Sequence, residues 1–263
     1  MNHATKIRQP ALFVGHGNPM NAISQNPFRD AWLQLGEQLK TTYSRPRAIL
    51  CISAHWQTQG SWVCAVEQPK TIHDFGGFPK ELFAQQYAAP GAPDVAEMLC
   101  ELVNDKQIQA TQDWGLDHGA WTILQSLFPA ADIPVLQLSL DVKLDFAQHF
   151  QLASQLASVR EQGILVIGSG NIVHNLGLLK QGVAYDWAIE FDEYIKEALE
   201  TNNDEALIHI SKVGQAAKLS VPTDEHYLPL LYIAAIRHAE DNMRFFNASY
   251  DLGSLSMRSF IYQ

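Results

Sequence analysis

Five short runs, Ala11–Val14, Ala48–Ser53, Trp62–Val66, Pro134–Leu140 and Ile164–Gly168, are mostly apolar or β-branched along their length and are bounded by turn residues. A strand with one wet face alternates apolar and polar residues. Runs without that alternation read as strands buried on both faces, the setting of parallel strands covered by helices. Between them lie stretches with helical spacing: Phe28–Lys40, which carries Trp32, Leu35 and Leu39, then Asp94–Leu102 and Asp145–Val159. Asp94, after Pro93, and Asp145 stand where helix N-termini are expected. The pattern predicts an α/β fold, a single domain over residues 1–263 with a central mixed or mainly parallel sheet flanked by helices.

Charge and cysteine usage narrow the function. A net charge of −10 leaves no basic face for a phosphate backbone, so no nucleic acid is expected and the partner should be a small molecule. The three cysteines, Cys51, Cys64 and Cys100, form no complete disulfide set and show no C-x-x-C spacing. Apolar stretches such as Ile164–Ile167 are far too short to span a bilayer, and Met1–Lys6 carries no apolar export segment. These features point to a cytoplasmic protein without a membrane partner. The segment Gln68–Ala92, rich in Pro, Gly and aromatics, reads as a long excursion of the kind that is often functional. In the tail, Met243–Gln263, Phe246, Tyr250, Leu252 and Leu255 suggest edge strands or equally an interface, so a homo-oligomer stays open.

Histidines mark the ends of the strand-like runs. His16 lies between two glycines directly after Ala11–Val14, where the backbone can turn sharply and approach a ligand; a turn histidine bonded to its own backbone is the plainer alternative. His55 repeats the arrangement after Ala48–Ser53, with Trp56 beside it as a packing wall. His174 follows Ile164–Gly168 and the turn Ser169-Gly170-Asn171 and is expected to begin a helix. An anion-binding loop is the competing reading there, but no Lys follows and the spacing is not G-x-G-x-x-G. In Pro222-Thr223-Asp224-Glu225-His226, Thr223 or Asp224 could cap a helix over Tyr227–Ile236, leaving Glu225 and His226 in its first turn with either able to reach a metal. A first-turn Glu225 would otherwise simply complement the helix dipole. His118 sits in Leu116-Asp117-His118-Gly119, where Asp117 could orient its imidazole. His73 lies on the aromatic loop; His3, His149, His209 and His238 read as surface or satisfied structural residues.

Taken in order, Gly15-His16-Gly17-Asn18-Pro19, Ser53-Ala54-His55-Trp56, His73-Asp74-Phe75-Gly76-Gly77-Phe78-Pro79, Leu116-Asp117-His118-Gly119-Ala120-Trp121, Gly168-Ser169-Gly170 through His174-Asn175, and Asp224-Glu225-His226 resemble the class III, LigB-type extradiol ring-cleaving dioxygenases, closest to their 4,5-DOPA dioxygenase branch. The resemblance implies an enzyme that opens a catechol ring with O₂ next to the two hydroxyls, giving a muconic semialdehyde-type product. It also implies Fe(II) for activity, held by His16, His55 and His226, with His174 as acid/base. His118, His73, Trp56, Phe75 and Phe78 would contact the substrate. Glu225 competes with His226 as third ligand, and zinc, which has no redox activity, could occupy the same site. A zinc-dependent hydrolase using these ligands, or a non-enzymatic binding protein on the same fold, are the alternatives.

Overall fold

A computed structural model describes residues 8–103 and 107–263; His3 and Met1–Lys6 lie outside them. In chain order the elements are β1 (Ala11–Gly15), α1 (Pro27–Thr42), β2 (Ala48–Thr58), β3 (Ser61–Cys64), α2 (Lys80–Phe83), α3 (Pro93–Leu102), β4 (Ile108–Thr111), α4 (His118–Leu127), β5 (Val135–Asp141), α5 (Phe146–Ser154), β6 (Ile164–Gly170), α6 (Asp186–Glu200), α7 (Asp204–Ile208), α8 (Gln215–Ser220), α9 (Leu228–Ala235), β7 (Met243–Phe246), β8 (Tyr250–Asp251), β9 (Leu255–Ser256) and β10 (Ser259–Tyr262). The main sheet has the order β4-β3-β5-β2-β6-β1-β10-β7. Its centre, β5-β2-β6-β1, is parallel throughout, while β3, β10 and β7 bring the antiparallel pairings.

The absence of alternation in the sequence has the expected cause. Every residue of β1, β5 and β6 is buried. Successive side chains still point to opposite faces: Phe13, Leu50 and Val166 join Leu99, Leu152, Phe191 and Leu231 on one side. Leu12, Ile49, Leu165 and Ile167 meet Trp32, Leu35, Trp121 and Leu124 on the other. The sheet is thus the middle layer of three, with α1 and α4 on one face and α3, α5, α6 and α9 on the other.

Local details depart from the sequence expectations. β2 continues to Thr58, with a register shift against β5 between Ile52 and Gln57, so His55 lies on an irregular strand extension rather than after the strand. β4 is a short edge strand whose exposed Gln109 and Ala110 gave no apolar signal. α5 is shorter than expected, with a 3₁₀ turn over Ala157–Gln162 ended by Gly163 at φ 83°. Asp145 caps α5 in a full capping box, but Pro93 starts α3 and places Asp94 in its first turn, where it pairs with Arg47. Neither Thr223 nor Asp224 caps α9 by its side chain: the helix begins at Leu228, and the Asp224 carbonyl accepts the N–H groups of Tyr227 and Leu228. In the tail β7, which carries Phe246, is an edge of the main sheet. β10 is buried between β1 and β7, and β8 with β9 forms a separate two-stranded piece.

Candidate active site

Because β1, β2 and β6 run parallel side by side, their C-terminal ends deliver His16, His55 and the Ser169-Gly170 end of β6 to one place. The turn carrying His226 closes onto them. The Asn171 N–H donates to the His226 carbonyl at 2.8 Å, and a Cβ on Gly170 would stand 2.2 Å from that same oxygen, so only glycine admits the approach. Gly17 turns the chain after His16 at φ 59°, where its N–H reaches Asn171 Oδ1.

On His16 and His226 the bond partners fix which ring nitrogen is free. The Ser169 hydroxyl donates to the Gly119 carbonyl at 2.6 Å, so its oxygen accepts from His16 Nδ1 at 2.9 Å. His226 Nδ1 lies 3.0 Å from a Glu225 carboxylate oxygen, which can only accept. Both rings therefore turn an Nε2 lone pair outward. His16 Nε2 faces His55 Nε2 at 3.2 Å. One ring nitrogen from each of His16, His55 and His226 lies within 4.8 Å of the other two. Burial, followed by the neighbouring histidines, holds the His16 and His226 imidazoles well below their usual pKa; burial, then His118, brings His55 to about 3 against the pull of Asp74. Three neutral imidazoles whose ring nitrogens converge, two of them backed by acceptors, fit a divalent transition metal.

Two more imidazoles complete the cluster. His174 stacks on His226 with ring centroids 3.4 Å apart and planes 6° from parallel. It precedes a 3₁₀ turn, Leu176–Leu178, and pairs with Leu255 in an isolated bridge, so it sits on extended chain instead of beginning a helix. Among the described residues no side chain bonds its ring nitrogens, and burial lowers its pKa to about 4 although Glu225 opposes the shift. His118 begins α4, its ring centroid 3.8 Å from that of His55. The carboxylate behind His118 is Asp74, at 2.9 Å from Nδ1, and not Asp117. Asp117 is fully buried and committed to Ser53, Gln137 and the Ala120 N–H as the α4 cap; burial, then Asp74, raises its pKa. Asp74 itself is lowered, its hydrogen bonds from His118 outweighing burial.

The long excursion brings Phe75 edge-on to His118 at 5.4 Å, with Phe78 edge-on to Phe75 at 5.4 Å. His73 is one ring further out, bonded through Nε2 to the Gln85 carbonyl and flanked by Phe75 and Trp121. Trp56 sits apart from these rings, buried and stacked flat on Trp114 at 5.2 Å. His149 is a core residue bonded to the Tyr232 hydroxyl, and His209 lies on the surface beside Glu205. Sequence reasoning passed over Asp74 and Ser169 as partners of the imidazoles. Their signal was faint: a lone carboxylate in an aromatic run and a serine read only as a turn residue.

An α/β sheet whose parallel strand ends gather five imidazoles, three of them able to share a cation, defines the class as enzymes that work at an imidazole-lined metal cleft. The description "Catalytic LigB subunit of aromatic ring-opening dioxygenase" belongs to a family model that matches residues 9–251. The 4,5-DOPA dioxygenase extradiol of Escherichia coli (strain K12) is 42% identical over 262 residues, covering 97% of this chain and 95% of that protein. The protein of the same description from Beta vulgaris is 35% identical over 259 residues, covering 95% and 94%. The crystal structure of an uncharacterized protein from Escherichia coli K12 matches with a TM-score of 0.82 at 38% identity, covering 97% of this chain and 99% of that one. The chain belongs to the LigB family of aromatic ring-opening dioxygenases, and it is an extradiol enzyme.

Proposed function

We propose that this enzyme opens the ring of a DOPA-like catechol with O₂, using Fe(II) held by His16, His55 and His226. The convergence of those three histidines beside His174 carries the reading. The relatives from Escherichia coli and Beta vulgaris, both described as 4,5-DOPA dioxygenases, support the substrate class. A bound metal supplies Lewis acidity toward the catechol oxygens and, if it is iron, the redox activity that zinc lacks. The ring carbon–carbon bond beside the hydroxyls breaks, and both oxygen atoms of O₂ end in the semialdehyde product.

The protein's own part is binding and proton handling. His174, neutral at physiological pH, accepts the proton of a catechol hydroxyl and later returns one. His118, whose Nδ1 proton goes to Asp74, offers an Nε2 lone pair to a substrate hydroxyl. Phe75 and Phe78 wall the ring, and His73 reads the far end of the substrate. Glu225 orients His226 in place of binding metal. The three free cysteines fit a cytoplasmic setting, and no helix among the described residues is long and apolar enough to cross a membrane.

The test is a catechol panel run aerobically on metal-free protein reconstituted with Fe(II) or Zn(II). A ring-opened, yellow product is expected with Fe(II) alone, most rapidly from catechols with an amino-acid side chain. Equal turnover with zinc, or none of any catechol with iron, contradicts it. The family assignment already favours ring opening over a zinc hydrolase or a non-enzymatic binding protein.

A further inference from the structure

We infer that Asp74 is a positioning residue that fixes the tautomers of His55 and His118 together and ties the 68–92 loop to the cleft. Its effect on metal affinity rests on His55 being a ligand, as proposed above. One carboxylate serves both imidazoles: Oδ1 accepts the His118 backbone N–H at 2.9 Å, and Oδ2 lies 2.9 Å from His118 Nδ1 and 3.4 Å from His55 Nδ1. A carboxylate can only accept, so His118 Nδ1 carries the proton and Nε2 is left with its lone pair. At 3.4 Å the contact to His55 is longer than an ordinary hydrogen bond, yet the negative charge still favours a proton on the nitrogen facing it. That leaves His55 Nε2 with its lone pair, although the His16 Nε2 lone pair 3.2 Å away would by itself favour a proton there, so it is the Asp74 charge that decides between the two tautomers.

Without Asp74, two rings 3.8 Å apart have several ways to place their protons, and only some present both Nε2 lone pairs. Asp117, next to His118 in sequence, cannot substitute, because Ser53, Gln137 and the Ala120 N–H occupy its oxygens. Asp74 also precedes Phe75, whose ring stands edge-on to His118. The residue that sets the tautomers therefore sits on the same loop as the aromatic wall.

The test uses metal-free protein labelled with ¹⁵N-histidine, its ring nitrogens observed by long-range ¹H–¹⁵N correlation at pH 7.5 and assigned with His55→Gln and His118→Gln. Wild type is expected to carry Nδ1–H on both residues. In Asp74→Asn the Nε2–H form should gain population at both, and Asp74→Glu should restore Nδ1–H at His118. Zinc affinity measured by chelator competition should fall about 10–100-fold in Asp74→Asn. Nε2–H on either histidine in wild type overturns the inference, whatever the folding of the variants, and so do wild-type tautomers and zinc affinity in Asp74→Asn. If His55→Ala keeps full zinc affinity, the ligand assignment fails, and the tautomer spectra still decide the role of Asp74.

Discussion

At the scale of single residues, the arrangement separates groups that present a lone pair from groups that hold the presenting ring still. His174 presents its lone pair without such a holder, since its ring is fixed by stacking on His226 and its nitrogens have no side-chain partner among the described residues. His174→Ala should keep metal and catechol binding while kcat falls roughly 10²–10⁴-fold, the usual loss for a positioned acid or base. Single-turnover kinetics with metal analysis checks this, and wild-type turnover in the variant would remove the assignment. The sequence revealed the histidines because each stands beside turn or small residues near a strand end or a helix start. It concealed their partners, because Asp74 lies 44 residues from His118 and Ser169 lies 153 from His16. Proximity in sequence suggested Asp117 for His118, and the geometry of a helix cap took that carboxylate instead.

At the scale of elements, the parallel strands were readable because burial on both faces removes the polar alternation, and α1, α3 and α5 because the apolar spacing of each faces one side of the sheet. β4 was not, for an edge strand packs little. The α9 entry is not legible in the sequence, because a backbone carbonyl, which carries no side-chain signature, satisfies the first N–H groups. The 68–92 excursion adds only α2 as regular structure, and its aromatic residues lead from His118 outward to His73. Replacing His73 or Phe78 should reorder catechols by kcat/KM without changing metal content. A uniform loss across all catechols would mean that the loop supports the fold without reading the substrate. Gly170→Ala tests the close approach of the His226 turn: a Cβ 2.2 Å from a carbonyl oxygen forces β6 and that turn apart. Both melting temperature and metal affinity should drop in this variant, and unchanged values would contradict the packing account.

At the scale of the whole molecule, so many depressed histidines make the metal-free fold sensitive to acid. His55 titrates at about 3, His174 and His149 at about 4, and His16 and His226 well below their usual value, all chiefly because burial penalises the charged form. In the unfolded chain the same groups take up protons near pH 6.5. Between those values the unfolded state binds more protons, so stability is full above about pH 6.5 and is lost as pH falls toward the folded values. Each histidine contributes at most ~1.4 kcal/mol per pH unit in that window. Thermal melts of metal-free protein from pH 7.5 to 5 should show a steady fall in Tm beginning near 6.5. A flat or rising Tm would mean that the cluster is not neutral in the folded state.

If His16, His55 and His226 hold one divalent metal with Glu225 behind His226, the metal content of the chain must follow those residues. Metal per chain, measured on anaerobically reconstituted protein after removal of excess Fe(II), tests it most directly. One iron per chain is expected in wild type, with near-complete loss in His16→Ala, His55→Ala and His226→Ala, and a weakening of about 10–100-fold in Glu225→Gln, which loses only the orienting carboxylate. Full occupancy in His226→Ala together with its loss in Glu225→Gln would contradict the account and make the carboxylate the third ligand.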